Sequence, residues 1–183
     1  MNFLGYKLKD MTPEILHLVL DWRNREEIRR LMYKSDIITW EEHLSWYNTI
    51  IETKRSIPNV LYYKDIPVGV VIFNDIDNKK TCSWSFYIGN PINKKGNGLI
   101  LGYLALEYLF KMECFEKLTA EVIEYNIASR KFHEKLGFLL DARFESGFTK
   151  GNEKFDIYKY SITKEKWLLH SDVIKKILLK NLK

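Results

Sequence analysis

The chain has 183 residues, of which 46% are hydrophobic and 14% aromatic, enough for one globular domain with a sizeable core. Lys and Arg total 29 against 24 Asp and Glu, a net charge of +5; this excludes a histone-like or disordered composition and gives no ground for nucleic-acid binding, whereas a small polyanion such as a nucleotide or coenzyme suits so mild an excess. Cys82 and Cys114 are far apart with no C-x-x-C or Cys/His cluster, and no long apolar leader or membrane-length apolar run occurs, so the expectation is a cytoplasmic protein without disulfides, metal or membrane partner.

In chain order, Phe3 to Leu8 reads as a short strand, and Thr12-Pro13-Glu14 supplies an N-cap, a first-turn proline and a first-turn acid for a helix carrying Ile15, Leu16, Val19 and Leu20. That helix runs to about Arg23, where Asn24 and Glu27 look like a capping pair for a second piece ending near Tyr33. Thr39 and Glu42 form a further capping box, and Leu44, Tyr47 and Ile51 continue a helix to about Lys54. Asn59 to Lys64, the apolar run Val68 to Phe73, and Thr81 to Ile88 predict an antiparallel meander.

Gly89-Asn90-Pro91 then ends the strand, a polar loop from Asn93 to Gly98 follows, and Leu99 to Met112 is an apolar helix. Lys117 to Ile123 is the next strand, with Leu118, Ala120 and Val122 on one face and Thr119, Glu121 and Ile123 on the other. Asn126 caps a helix to about Leu136, which Gly137 ends. Two strands, about Phe138–Phe148 and Lys154–Ile162, flank the turn Lys150-Gly151-Asn152. Thr163 opens a terminal amphipathic helix that packs on the sheet or on a second subunit, so a homodimer is one expectation. The order is that of an α/β domain over residues 1–162, with residues 163–183 as an added helix.

The loop Asn93-Lys94-Lys95-Gly96-Asn97-Gly98 is the first chemical signal. Two glycines between a strand and a helix start let backbone N–H groups approach a phosphate, and Lys94 and Lys95 add cations. It is not a P-loop, since no Gly-Lys-Ser/Thr follows, and it misses the dinucleotide glycine spacing by one.

This loop resembles the acetyl-CoA pyrophosphate loop of the Gcn5-related N-acetyltransferase superfamily, Gln/Arg-x-x-Gly-x-Gly/Ala, with Asn93 in place of the first residue. A second segment, Asn126 to Phe138, is similar to the family's Asn-x-x-(Ala/Ser)-x-x-x-Tyr-x-x-x-Gly-Phe. The resemblance implies the family's fold, a mixed, mostly antiparallel sheet flanked by helices, with acetyl-CoA as co-substrate and no metal. It implies that Phe86, Tyr87 and Ile88, the loop from Asn93 to Leu99, and Asn126, Ser129 and Arg130 face the coenzyme. His133 stands where the family has the tyrosine that protonates the CoA thiolate. A histidinium could donate to a thiolate; the alternative is a histidine that packs or bonds a phosphate or backbone group.

The N-terminal half, Leu20-Asp21-Trp22-Arg23-Asn24, Ile28-Arg29, Met32-Tyr33 and Glu42-His43-Leu44-Ser45-Trp46, resembles a bacterial branch of the superfamily, the N-acetyltransferases of pseudaminic acid biosynthesis. That likeness implies acetylation of the 4-amino group of UDP-4-amino-4,6-dideoxy-N-acetyl-β-L-altrosamine. Such an acceptor needs a cation for its pyrophosphate, flat groups for uracil and sugar and an apolar patch for the 6-methyl group. Arg23 is the candidate for the first, Tyr33, Trp46 and Trp84 for the second and Met32 for the third, with His43 on phosphate or ribose. Trp22, Trp40 and Tyr47, at helical spacing, are expected in the core, and Arg25, Arg29 and Arg30 on a solvated face. Glu121 is the candidate to orient the amine or take its proton. The rival readings are acetylation of a peptide N-terminus or a polyamine, the latter needing clustered acids, and a coenzyme-binding module without turnover.

Overall fold

The computed structural model describes residues 2–76, 80–90 and 96–181. Its strands are β1 (Asn2–Phe3), β2 (Tyr6–Asp10), β3 (Ile57–Tyr63), β4 (Ile66–Asn74), β5 (Thr81–Ile88), β6 (Lys117–Ile123), β7 (Leu139–Lys150) and β8 (Glu153–Thr163). Its helices are α1 (Leu16–Asn24), α2 (Glu26–Arg29), α3 (Trp40–Thr53), α4 (Asn97–Lys111), α5 (Ile127–Lys135) and α6 (Lys164–Asn181). The strands form one sheet in the order β1-β2-β3-β4-β5-β6-β8-β7. Every neighbouring pair is antiparallel except β5 and β6, because the crossover through α4 brings the chain back in the same direction. The mixed α/β fold expected from the sequence is therefore the one observed.

Local signals explain most boundaries. The Thr39 hydroxyl accepts from the Glu42 amide while the Glu42 carboxylate accepts from the Thr39 amide, so both halves of the capping box at α3 are made. Gly137 has φ of +89° and ends α5. Thr163 accepts from the Lys166 amide at 3.2 Å at the start of α6. Two expected caps are not made. Thr12 has no side-chain cap bond, and Pro13–Ile15 form a tight 3-10 turn before α1. The Asn24 side chain exchanges two hydrogen bonds with the backbone of Ile38, closing the loop ahead of α3 instead of starting α2. A loop contact fourteen residues away in sequence wins because it satisfies two part-buried backbone groups at once.

The two sheet faces are covered by different helices. On one, α4 packs with β-face residues such as Val71, Phe73, Cys82 and Leu118, and α6 adds Trp167, Ile174 and Leu178. The Trp167 indole donates to Glu107 of α4 at 3.0 Å, so α6 is docked on its own chain. On the other face, α1 and α3 enclose Leu16, Val19, Trp22, Tyr47 and Ile50 with Val60 and Val70. Trp22 and Tyr47 are core residues as expected, while Trp40 is half-buried and stacks on His17 at 3.8 Å. Gly89 is needed where α1 crosses the end of β5, since a Cβ there would lie 1.9 Å from the Trp22 ring. No helix among the described residues is long and apolar enough to cross a membrane.

Candidate active site

The site arises where the parallel pair comes apart. β5 and β6 pair only through Thr81–Lys117, Cys82–Leu118 and Ser83–Thr119. Beyond that, β5 stays with β4 as far as Ile88 and β6 stays with β8 as far as Ile123. Trp84–Ile88 and Ala120–Ile123 thus present unmatched edges to a wedge, which opens into a cleft of about 1680 Å³. Side-chain parity divides it. Trp84 and Phe86 point toward α5, whose Ser129, Phe132 and His133 line that side. Ser83, Ser85, Thr119 and Glu121 have the opposite parity, toward Ile28, Leu31, Met32 and Tyr33.

On the α5 side, His133 is 1% exposed and held at both ring nitrogens. Nδ1 lies 2.7 Å from the carbonyl of Ser129, so it carries the proton, and Nε2 accepts from the Trp84 indole at 3.1 Å. The rings of Phe86, Phe132, Phe138 and Tyr160 surround it. Burial pulls its pKa down to about 4 from 6.5, with the Ser129 carbonyl opposing weakly. A neutral imidazole whose N–H is committed to a carbonyl has no proton for a thiolate. His133 therefore does not fit the acid role assigned from the motif; it ties α5 to β5 across the wedge. Trp84, expected as a platform for a flat ligand, is likewise core, 6% exposed among Phe86, Phe132 and Phe138.

Asn126 caps α5, its side-chain oxygen accepting from the Ser129 amide at 3.1 Å, and both residues line the cleft. Arg130, one residue on, turns away from it: its guanidinium lies over the Tyr158 ring of β8 at 3.6 Å. The glycine loop is described only from Gly96, so Asn93, Lys94 and Lys95 lie outside the described residues. Gly96 has φ of +100° and starts α4 without a side-chain cap, and a Cβ added at Gly96 or Gly98 would meet none of the described residues within 4 Å. The first-turn N–H groups of α4 lack intrahelical partners, and no side chain caps them, which fits a diphosphate at this helix end. The side chains of Asn97 and Leu99 turn inward, so these two residues offer that helix end their amides alone. Asn97 is 4% exposed and accepts from the Tyr6 hydroxyl at 2.7 Å, joining α4 to β2, and Leu99 is core. The lining includes Phe86, Tyr87 and Ile88, whose strand edge borders the wedge.

On the other side, the Tyr33 hydroxyl donates to Glu121 at 3.1 Å, and Met32 lines the cleft beside it. Three residues expected here lie elsewhere. Arg23 sits outside the lining and donates to the Lys34 carbonyl at 2.8 Å. His43 is 5% exposed and stacks on Trp46 at 5.1 Å, and neither lines the cleft. They follow the apolar side of α3, and burial of that side takes them out of reach of the wedge. Arg25 and Arg30 are exposed as expected and Arg29 is half-buried, with Arg25 donating to the Gly89 carbonyl at 2.6 Å and Arg29 to the Ser35 carbonyl at 2.8 Å.

Several lining residues had no motif to announce them. Glu27, Lys54, Arg55, Asp75 and Lys159 join Glu121 as charged lining. The Ser83 hydroxyl donates to Asp75, and Ser85 accepts from Asn74 at 3.3 Å. The available signal was parity: Ser83 and Ser85 alternate with buried Cys82 and Trp84, marking a polar sheet face.

A family model described as the acetyltransferase (GNAT) domain matches residues 19–158. An uncharacterized N-acetyltransferase of Bacillus subtilis, YnaD, is 26% identical over 116 residues, covering 63% of this chain and 68% of the relative. Among solved structures, spermidine N-acetyltransferase from Vibrio cholerae in complex with CoA and spermine superposes with a TM-score of 0.83 at 19% identity, covering 90% of this chain and 98% of that one. An N-acetyltransferase from Staphylococcus aureus Mu50 gives 0.75 at 20% identity, with 87% and 98% covered. With the two-sided wedge and the uncapped glycine-headed helix, the chain belongs to the GNAT family and is an acetyl-CoA-dependent N-acetyltransferase.

Proposed function

We propose that the acceptor is a nucleotide-linked amino sugar, UDP-4-amino-4,6-dideoxy-N-acetyl-β-L-altrosamine, acetylated on its 4-amino group by direct attack on the thioester. The observation that carries this reading is the charge pattern of the acceptor side. The carboxylate of Glu121 lies on β6 beside the apolar wall of Ile28, Leu31 and Met32, while Lys54 and Arg55 line the same cleft near Asn74, whose strand position pairs with Ser83. A cleft that carries cations and carboxylates together, Arg55 beside Asp75 and Lys159 opposite Glu121, suits a molecule that bears both an amine and phosphates. The apolar wall suits a deoxy sugar's methyl group. Glu27, Asp75 and Glu121 are balanced by Lys54, Arg55 and Lys159, whereas a polyamine calls for an acidic excess.

In this reading, Glu121 receives the amine proton, the amides at the head of α4 hold the coenzyme diphosphate, and the open edge of β5 near Phe86 receives the thioester carbonyl. The test is thiol release from acetyl-CoA with a panel of amines. Release is expected with the UDP-amino sugar and not with spermidine or a peptide N-terminus; release confined to spermidine would replace the reading with a polyamine acetyltransferase.

A further inference from the structure

Because His133 has no proton to give, the departing thiolate must be protonated by another group. Two phenols line the cleft among the described residues, Tyr33 and Tyr87. Tyr87 is turned into the α1 layer, its hydroxyl 3.4 Å from the Val19 carbonyl. Tyr33 is 48% exposed, its hydroxyl on Glu121 and its ring edge-on to Phe148 at 5.4 Å. The turn that carries it is fixed from behind, since the Arg30 carbonyl accepts from the Tyr125 hydroxyl at 3.1 Å and from Lys150 at 3.4 Å.

We propose that Tyr33 is the proton donor to the CoA thiolate and that Glu121 recharges it, so that the proton leaving the amine ends on sulfur. This rests on the reading of Glu121 as the proton acceptor. The neutral amine forms the C–N bond to the thioester carbon, and its proton passes to the Glu121 carboxylate. A protonated Glu121 donates to the Tyr33 oxygen instead of accepting from it, which reverses the hydrogen bond and frees the phenolic hydrogen to turn toward sulfur. The C–S bond breaks with its electron pair on sulfur; sulfur takes the phenolic hydrogen while the phenol oxygen takes the one from Glu121. Both residues return to their starting forms, and amide and thiol are the only products. Burial and the Glu121 charge raise the Tyr33 pKa, so the phenol stays loaded through the neutral range.

The test compares Tyr33→Phe, Glu121→Gln and the double variant in steady-state turnover, using whichever amine the wild-type chain acetylates, so that a wrong acceptor assignment leaves the comparison intact. Each single variant is expected to lower kcat by about 100-fold with KM for acetyl-CoA unchanged. The double variant should be no slower than the slower single one, because two members of one relay fail together. Tyr33→Phe with wild-type kcat and a raised acceptor KM would make Tyr33 a binding contact and overturn the proposal. A double variant that loses the product of the two single factors would also overturn it. Wild-type kcat in Glu121→Gln beside a slow Tyr33→Phe would instead remove the reading of Glu121 on which the relay rests.

Discussion

At His133, burial and hydrogen bonding select the same protonation state. The ring is enclosed by aromatic side chains and its Nε2 needs a lone pair to accept from Trp84, so the neutral form is favoured on both counts. The folded pKa of about 4 lies below the ordinary 6.5. The resulting stability is complete above pH 6.5 and is lost as pH falls toward 4, a difference on the order of 3 kcal/mol. Urea midpoints of the wild type should fall across that window, and His133→Gln, which can still donate to Ser129 and accept from Trp84, should show a flatter dependence. Equal slopes for the two proteins would remove His133 as the titrating group. Glu121 is instead exposed on its strand, where it accepts from the Tyr33 hydroxyl.

At the scale of elements, α4 serves the site with its first turn and the core with the rest. Ile100, Leu101, Leu104, Ala105 and Leu106 are fully buried, which anchors the helix axis against the sheet and fixes where its amides point. Gly102 permits the contact with α5, as a Cβ there would lie 2.6 Å from Leu136 and 2.7 Å from Phe132. At the head of the helix, Gly96 is required by its φ of +100°. Gly96→Ala places a methyl group at that helix end and costs about 1–2 kcal/mol of backbone strain. The expected result is a KM for acetyl-CoA raised about ten-fold, the equivalent of 1.4 kcal/mol, with kcat at saturation nearly kept. An unchanged KM would show that the coenzyme is held elsewhere.

For the whole molecule, the wedge depends on two helical layers bearing on one sheet from opposite faces. The α1 layer is locked to the end of β5 by Trp22 against Gly89 and by the bond from Arg25 to the Gly89 carbonyl. Gly89→Ala cannot be absorbed by a flexible side chain, because the added methyl meets the buried indole itself. Overpacking of this kind is expected to cost about 1–3 kcal/mol. A lower urea midpoint together with weaker acceptor binding would follow if α1 carries Met32 and Tyr33 with it; an unchanged midpoint would mean that the layer is not held there.

The sequence by itself determined most elements and their order, because hydrophobic period, capping pairs and turn residues act over a few neighbours. The exceptions are Phe3 to Leu8, expected as one strand and found as the paired β1 and β2, and the second helical piece, expected to near Tyr33 and ending at Arg29. Thr81–Ile88 and Lys117–Ile123 keep their expected bounds, and the two linked motifs identified the superfamily. The parity of β6 also put Glu121 on the face opposite Leu118 and Val122. Only the tertiary structure decided which side chains share the cleft. Asn126, Ser129, Phe86, Met32, Tyr33 and Glu121 meet there, whereas Arg23, His43, Trp46 and Arg130, from equally suggestive stretches, are taken up by backbone carbonyls, ring stacking and a tyrosine face. The reason is that a residue's chemistry is local but its use depends on which polar groups the fold leaves unsatisfied nearby. His133 is the sharpest instance: the motif position is matched, and burial against Trp84 and Ser129 turns a candidate acid into a neutral strut.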